Sequence, residues 1–231
     1  MAALTYLAVI PARGGSKALP GKNIRPLRGK PMLAWSIAAA LACQRIGRVI
    51  VSTDDPEIAR AATACGAHVP FLRPAALAAD DTPTEPVLLH VLDELEKEGS
   101  VPGAVVLLQP TSPLRRAGTL ERAIALFERE AADSLVSVCE SHHFFWSNPS
   151  APKALYDFRN RPRRQDIPPP QRWYRENGSV YITRTPLLRA ERNRLGGRIA
   201  MFVMSEEESW EVDTAADFAI VESLMSTEAG T

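Results

Sequence analysis

Four short apolar runs set a rhythm that few folds can accommodate. They are Tyr6–Ile10, Val49–Val51, Val105–Leu108 and Leu135–Val138. Each is too short for a typical helix and too uniformly apolar for a strand with one wet face, so each reads as a strand buried on both sides. The intervening segments have helical spacing. Leu33, Ile37 and Leu41 recur at turn-like intervals after Pro31. Asp55-Pro56 supplies a cap and a first-turn proline for a helix that Gly66 closes. Thr82-Pro83-Thr84-Glu85 reads as a capping box with proline at the first helical position, ahead of an apolar face of Val87, Leu88, Val91, Leu92 and Leu95. Leu120, Ile124 and Phe127 mark a further helix. Strands alternating with helices over the first 138 residues predict an α/β fold, a mainly parallel sheet with helices on both faces.

After Val138 the rhythm breaks. Residues 142–175 are rich in proline, arginine and aromatics, and read as an excursion from the sheet too short to fold as a domain of its own. Regular order is expected to resume at Val180-Tyr181-Ile182, then Ile199–Met204, then a terminal helix carrying Phe218, Val221 and Met225. Residues 227–231 are expected to fray. The whole of 1–231 therefore reads as one domain. Lys+Arg and Asp+Glu both total 27, so no global field points to nucleic acid or membrane. Cys43, Cys65 and Cys139 are scattered and odd in number, which suits a reducing cytoplasm better than a disulfide framework. Met1–Ile10 lacks the pattern of a signal peptide, and no apolar run approaches the ~18 residues of a membrane span.

In open sheets of this kind ligands bind beyond the carboxyl ends of the strands, and the loops there hold the unusual residues. The first runs from Pro11 to Asn23. Its paired Gly14-Gly15 can bring backbone N–H groups close to an anion, with Arg13 and Lys22 as flanking cations. It lacks the Walker and the GxGxxG spacings, and a flexible turn with solvated charges is the competing reading. Gln109 follows a buried strand, where an amide is wasted on a core and suits a polyol. Between Arg159 and Arg175 lie six arginines with Trp173 and Tyr174. That mixture can bind single-stranded nucleic acid, but with zero net charge and Glu206-Glu207-Glu208 nearby, a carboxylate is the better partner for guanidinium. Glu211 and Asp213 alternate with Val212, so an extended chain would put both carboxylates on one side. Such a pair with substrate phosphates suits Mg²⁺. Asp213 also reads as a helix cap, with Thr214 as competitor. Asp54-Asp55 reads as a cap, His142-His143 as surface, and Trp35 as core.

Ile10-Pro11-Ala12-Arg13-Gly14-Gly15-Ser16-Lys17, with Lys22-Asn23 and Gly29-Lys30-Pro31, closely resembles the opening of the acylneuraminate cytidylyltransferases. Four more matches follow in the same order. They are Val51–Asp55, Leu108–Arg115, Arg164-Gln165-Asp166 with Tyr174–Gly178, and Val212-Asp213-Thr214. The resemblance spans roughly residues 6 to 225. It implies a Rossmann-like fold in which CTP lies along Arg13, Gly14, Gly15, Ser16, Lys22 and Asn23, with Arg73 and Thr84 near ribose and cytosine. Thr84 reads equally well as an ordinary first-turn residue. It further implies that Gln109, Arg164, Gln165, Arg175, Asn177 and Gly178 face the sugar, although Asn177-Gly178 reads by itself as a turn. Asp213 and Glu211 would hold Mg²⁺; the family has aspartate at both places, so Glu211 is a departure.

The activity implied is transfer of CMP from CTP to the anomeric hydroxyl of a sialic acid-type nonulosonic acid, with Arg13, Lys22 and Asp213 as the catalytic group. A homodimer is implied, Arg164 reaching the neighbouring subunit's site. Activation of a related legionaminic, pseudaminic or Kdo-type sugar, a non-catalytic nucleotide-sugar binder, and an RNA-binding module are the alternatives.

Overall fold

The computed structural model describes residues 4–15 and 19–227. Ser16, Lys17 and residues 228–231 lie outside the described residues, and with them the anion contact expected of Ser16 and most of the expected fraying. In chain order the strands are β1 (Tyr6–Pro11), the two-residue ribbon β2 (Pro26–Leu27) and β3 (Lys30–Pro31), β4 (Ile46–Ser52), β5 (Ala104–Leu108), β6 (Ser134–Ser141), the ribbon β7 (Trp146–Ser147) and β8 (Lys153–Ala154), β9 (Trp173–Arg184) and β10 (Ile199–Met204). The helices are α1 (Met32–Ala42), α2 (Pro56–Ala64), α3 (Thr84–Lys97), α4 (Thr119–Arg129), α5 (Thr185–Glu191) and α6 (Ala215–Thr227).

Six strands form one sheet in the order β10-β6-β9-β5-β1-β4. β1 runs parallel to both β4 and β5, and β10 runs parallel to β6. β9 is antiparallel to both of its neighbours, so the sheet is mainly parallel with one reversed strand inside it. Alternate residues of β1 serve opposite cores. Ala8 and Ile10 pack with Leu33 and Ile37 of α1, Ile58 of α2, and Leu120, Ile124 and Phe127 of α4. Leu7 and Val9 pack with Leu88, Val91, Leu92 and Leu95 of α3 and Leu188 of α5. A third cluster, of Leu19, Leu27, Met32, Val212, Phe218 and Val221, joins the first loop to α6, with Trp35 against it. Burying each large aliphatic or aromatic side chain contributes about 1.5–3 kcal/mol, so these layers fix the sheet and leave the loops free to vary.

The observed elements depart from expectation in four places. Leu41 is 51% exposed, because α1 ends one residue later and the side chain lies over the surface at Gly66 instead of in the core. The capping box before α3 does not form. Pro83 itself stands at the cap position with no side-chain hydrogen bond, and Glu85 is drawn to Arg194 at 2.9 Å. The excursion ends at Arg172, since Trp173, Tyr174 and Arg175 already belong to β9. Asn177-Gly178 is no turn. It lies within β9, where the register with β6 shifts between Val136 and Val138, and Gly178 adopts φ 62°.

The caps near the carboxyl edge do form. Asp55 accepts from the N–H of Glu57 at 2.7 Å and of Ile58 at 3.3 Å, so it is a helix cap as expected. At α6 the cap is Thr214, whose hydroxyl accepts from Asp217 N–H at 3.2 Å while Asp217 accepts from Thr214 N–H at 2.7 Å. Asp213 is thereby released from capping duty. Glu208 is buried and accepts from Arg116 N–H (3.1 Å) and from the hydroxyls of Thr119 (2.8 Å) and Ser205 (3.2 Å), which ties the start of α4 to the segment before Glu211. Truncating it would take the acceptor from the buried Thr119 hydroxyl and release Arg116 N–H and Ser205 from the same anchor. Glu208→Ala should therefore lower unfolding stability by about 2–4 kcal/mol in urea titration, and a loss below about 1 kcal/mol would contradict this role.

Candidate active site

The chain leaves β1, crosses α1 and returns as β4 on one side of β1, whereas β5 lies on the other side. The loops after β1 and β5 therefore diverge, and the crevice between them is where an open sheet of this type binds ligands. A cleft of about 240 Å³ opens there. It is lined by Arg13, Lys22, Asn23, Arg73, Thr84 and Gln109, together with Pro11, Thr82, Pro83, Val87, Pro110 and Thr111. Six residues singled out from four separate stretches of sequence thus meet in one place.

Each has a definable posture. Arg13 is ion-paired with Asp80 at 2.5 Å. Asn23 is buried and its amide donates to the Arg13 carbonyl at 2.9 Å, so it props up the loop. Gly14 N–H donates to Asp54 at 3.2 Å, and a Cβ on Gly14 would stand 2.6 Å from the Asp55 carboxylate; Gly15 faces open space. Close approach to these two aspartates is thus what requires glycine at 14. Arg73 is 6% exposed and faces Asp54 at 3.4 Å, while its Nε has no hydrogen-bond partner. Burial lowers the Arg73 pKa, against the opposing pull of Asp54. An arginine held half-satisfied at a cleft wall is poised to gain from an anion.

On the other side of the cleft, Lys22 donates to the Val212 carbonyl at 3.1 Å and to Asp213 at 3.2 Å. Val212 is fully buried and its N–H donates to the Thr111 carbonyl at 2.7 Å. Glu211 and Asp213 flank it in the chain, and their carboxylates diverge. Asp213 is well exposed, whereas Glu211 is partly buried against Gly178. Burial raises the Glu211 pKa and the Asp213 charge adds to the rise, while Arg175 and Lys22 oppose it.

The residues expected to face the sugar separate into three groups. Gln109 lies in the cleft, its side-chain oxygen accepting from the Thr111 hydroxyl at 3.3 Å. Arg175 is exposed nearby and reaches the Ser209 carbonyl at 3.5 Å. Asn177 is fully buried and saturated. Its amide donates to Ser209 Oγ at 2.8 Å and contacts Met204 Sδ, and its oxygen accepts from the Ser137 hydroxyl and Ser179 N–H. That side chain fills the irregularity in β9 and has no group left for a ligand. Arg164 and Gln165 sit in an exposed turn of the excursion, where Arg164 lines a separate cavity of about 470 Å³ with Phe144, Tyr156 and Trp173. Within one chain they are not part of the cleft.

Sequence reasoning took Asp54 with Asp55 as a cap, whereas Asp54 instead meets Gly14 N–H and Arg73, and it passed over Asp80 and Arg115. Arg115 donates to the carbonyls of Gln109 (2.9 Å) and Ser179 (3.2 Å from Nε) and to Ser36 Oγ (2.8 Å). It clamps the end of β5 to β9 and so sets where Gln109 and Gly178 stand. Its place at the end of the matched Leu108–Arg115 stretch was the available signal. The pairing of Asp80 with Arg13 across 67 positions had none.

With this geometry in view, comparison with known proteins gives a consistent answer. A family model described as cytidylyltransferase matches residues 7–167. A protein of Legionella pneumophila named CMP-N,N'-diacetyllegionaminic acid synthase is 35% identical, over 96% of this chain and 97% of that one. An N-acylneuraminate cytidylyltransferase of Oncorhynchus mykiss is 34% identical over 93% of this chain, which spans 49% of that relative's length. The solved structure of a CMP:2-keto-3-deoxy-manno-octonic acid synthetase complexed with CTP shares the fold, with a TM-score of 0.73 at 24% identity over 97% of this chain and 99% of that one. The chain belongs to the cytidylyltransferase family.

Proposed function

We propose that the protein, acting as one nucleotidyltransferase unit, joins CMP from CTP to the anomeric hydroxyl of a sialic acid-type nonulosonic acid and releases pyrophosphate. The observation that carries this reading is the meeting of Arg13, Lys22 and Arg73 with Gln109 in one cleft at the switch point of a cytidylyltransferase sheet. Cations on the first-loop side suit a triphosphate, and a neutral amide at the end of β5 suits a polyhydroxyl acceptor. A legionaminic acid-type acceptor is the second reading, favoured by the name and full-length match of the Legionella relative.

The chain's own groups can drive such a transfer by positioning and charge. Arg13 and Lys22 would pair with phosphate oxygens, which requires Arg13 to exchange Asp80 for the nucleotide. Arg73, with its unpartnered Nε, would supply a further contact from the wall. Preorganised cations of this kind stabilise charge that develops on the transferred group without reorganising at the moment of reaction. Mg²⁺ suits the donor set. Asp213 offers an exposed hard carboxylate beside Lys22 and would hold the ion together with substrate phosphates; no cluster of three potential ligands exists among the described residues. When bound, the ion would neutralise charge on the phosphates. Glu211, the second carboxylate expected there, turns instead towards Gly178.

The excursion supports a homodimer. Phe145, Trp146, Phe158 and Trp173 are each about half exposed, and Phe144, Trp146, Tyr156 and Phe158 pack together in tilted and edge-on pairs. Apolar surface of this extent calls for a partner. A second copy, with Arg164 approaching the acceptor site of its neighbour, would create two equivalent composite sites. No helix among the described residues is long and apolar enough to cross a membrane, and we place the reaction in the cytoplasm.

Pyrophosphate release measured with CTP, UTP and GTP against a panel of nonulosonic acids should show turnover with CTP and a sialic or legionaminic acid. Turnover with UTP alone, or none with any acid, would overturn the reading. Asp213→Asn should abolish the Mg²⁺-dependent rate, whereas equal wild-type activity in EDTA and in Mg²⁺ would remove the metal. For the composite site, Arg164→Ala and Lys22→Ala subunits should each be nearly inactive alone and recover up to one working site in two when mixed. No recovery after proven subunit exchange would show that each chain builds its own site.

A further inference from the structure

Glu211 stands out as a partly buried carboxylate to which no described residue donates a hydrogen bond. Its position is defined by Gly178. A Cβ built on that glycine would lie 1.9 Å from Glu211 Oε1 and 3.2 Å from Gln109 Oε1. Glu211 thus occupies space that only glycine leaves open, and Gln109 converges on the same spot from the end of β5. The Gly178 backbone, at φ 62° within the β9 irregularity, holds that space in place. Arg115 fixes both sides of it through the carbonyls of Gln109 and Ser179.

Two acceptor oxygens converging over Gly178 call for a ligand that brings donors. A triphosphate cannot satisfy them, being itself all acceptors. A divalent ion is poorly served as well, because Glu211 is folded back over Gly178 while Asp213 extends outward to Lys22. The extra methylene of glutamate over aspartate provides the reach to Gly178. Resting on the proposed transfer to an acidic sugar, we propose that Glu211 is a specificity-determining residue: paired with Gln109 over Gly178, it accepts a hydrogen bond from a hydroxyl or acylamido N–H of the acceptor sugar.

Glu211→Gln tests this with little change of shape. The variant loses a charged acceptor, so the KM for the sugar should rise about ten- to a hundredfold. The KM for CTP should stay within about twofold of wild type. Calorimetric titration of Mg²⁺·CTP without sugar should give the same affinity for both proteins. A sugar analogue lacking the recognised donor should be discriminated against by the wild type and no longer by the variant. A fall in Mg²⁺·CTP affinity with unchanged sugar KM would overturn the proposal and make Glu211 a metal ligand. Unchanged discrimination across the analogues would overturn it too. Gly178→Ala, checked by thermal melting for a native fold, should raise the sugar KM by displacing the carboxylate, and a folded variant with normal sugar KM contradicts the proposal. Should the wild type turn over no acidic sugar at all, the proposed function itself fails, and the two failures are thereby separate.

Discussion

The site depends on a single peptide unit more than on any one side chain. Val212 buries its side chain among Leu19, Leu27, Met32, Phe218 and Val221, gives its N–H to Thr111 and its carbonyl to Lys22. Three remote pieces of chain are joined there: the first loop, the loop after β5, and the segment that precedes α6. Backbone groups buried near a cleft must be paired, and pairing them with these partners leaves little freedom in where Glu211 and Asp213 can stand. The cleft is therefore rigid on this side. On the other side Arg13, Asp54, Arg73 and Asp80 form charge pairs that an incoming anion can rearrange.

That asymmetry is consistent with the chemistry of the family. Phosphate groups are held by charge, which tolerates side-chain movement. A polyhydroxyl acceptor is selected by hydrogen bonds, which fail when donors and acceptors shift by a fraction of an ångström. The proposed acceptor side is built on strand ends locked by Arg115, with the saturated Asn177 filling the irregularity behind Gly178. Glycine at 178 and glutamate at 211 make sense only together, since each occupies what the other leaves.

The strands and helices were legible because burial leaves a simple trace. Tyr6–Ile10 and Val105–Leu108 are buried along their whole length, and Val87, Leu88, Val91, Leu92 and Leu95 all face the core. Gathering Arg13, Lys22, Asn23, Arg73, Thr84 and Gln109 in one cleft followed from the strand-end rule and from the family resemblance together. Pattern failed where long-range pairing overrides local preference. Asn177-Gly178 carries a turn signal, yet β9 continues through it because Ser137 and Ser209 satisfy the asparagine inside the sheet. Glu85 has the spacing of a capping partner but finds Arg194, more than a hundred residues away, a stronger one. The inward posture of Glu211 could not be read at all, since alternation gives a side and not a direction. For Arg164 and Gln165, one chain's fold shows no cleft contact, and their roles belong to the proposed assembly.

The central claim is that the cleft holds the acceptor so that its anomeric oxygen attacks the α-phosphorus of CTP. The most direct measurement follows that oxygen. A nonulosonic acid freshly labelled with ¹⁸O at the anomeric hydroxyl, turned over with CTP, should give a product carrying the label in the bridge between sugar and phosphorus. The isotope shift of its ³¹P resonance reads the label, and the pyrophosphate should be unlabelled. A product with an unlabelled bridge, its phosphorus joined through another sugar oxygen, would contradict the account.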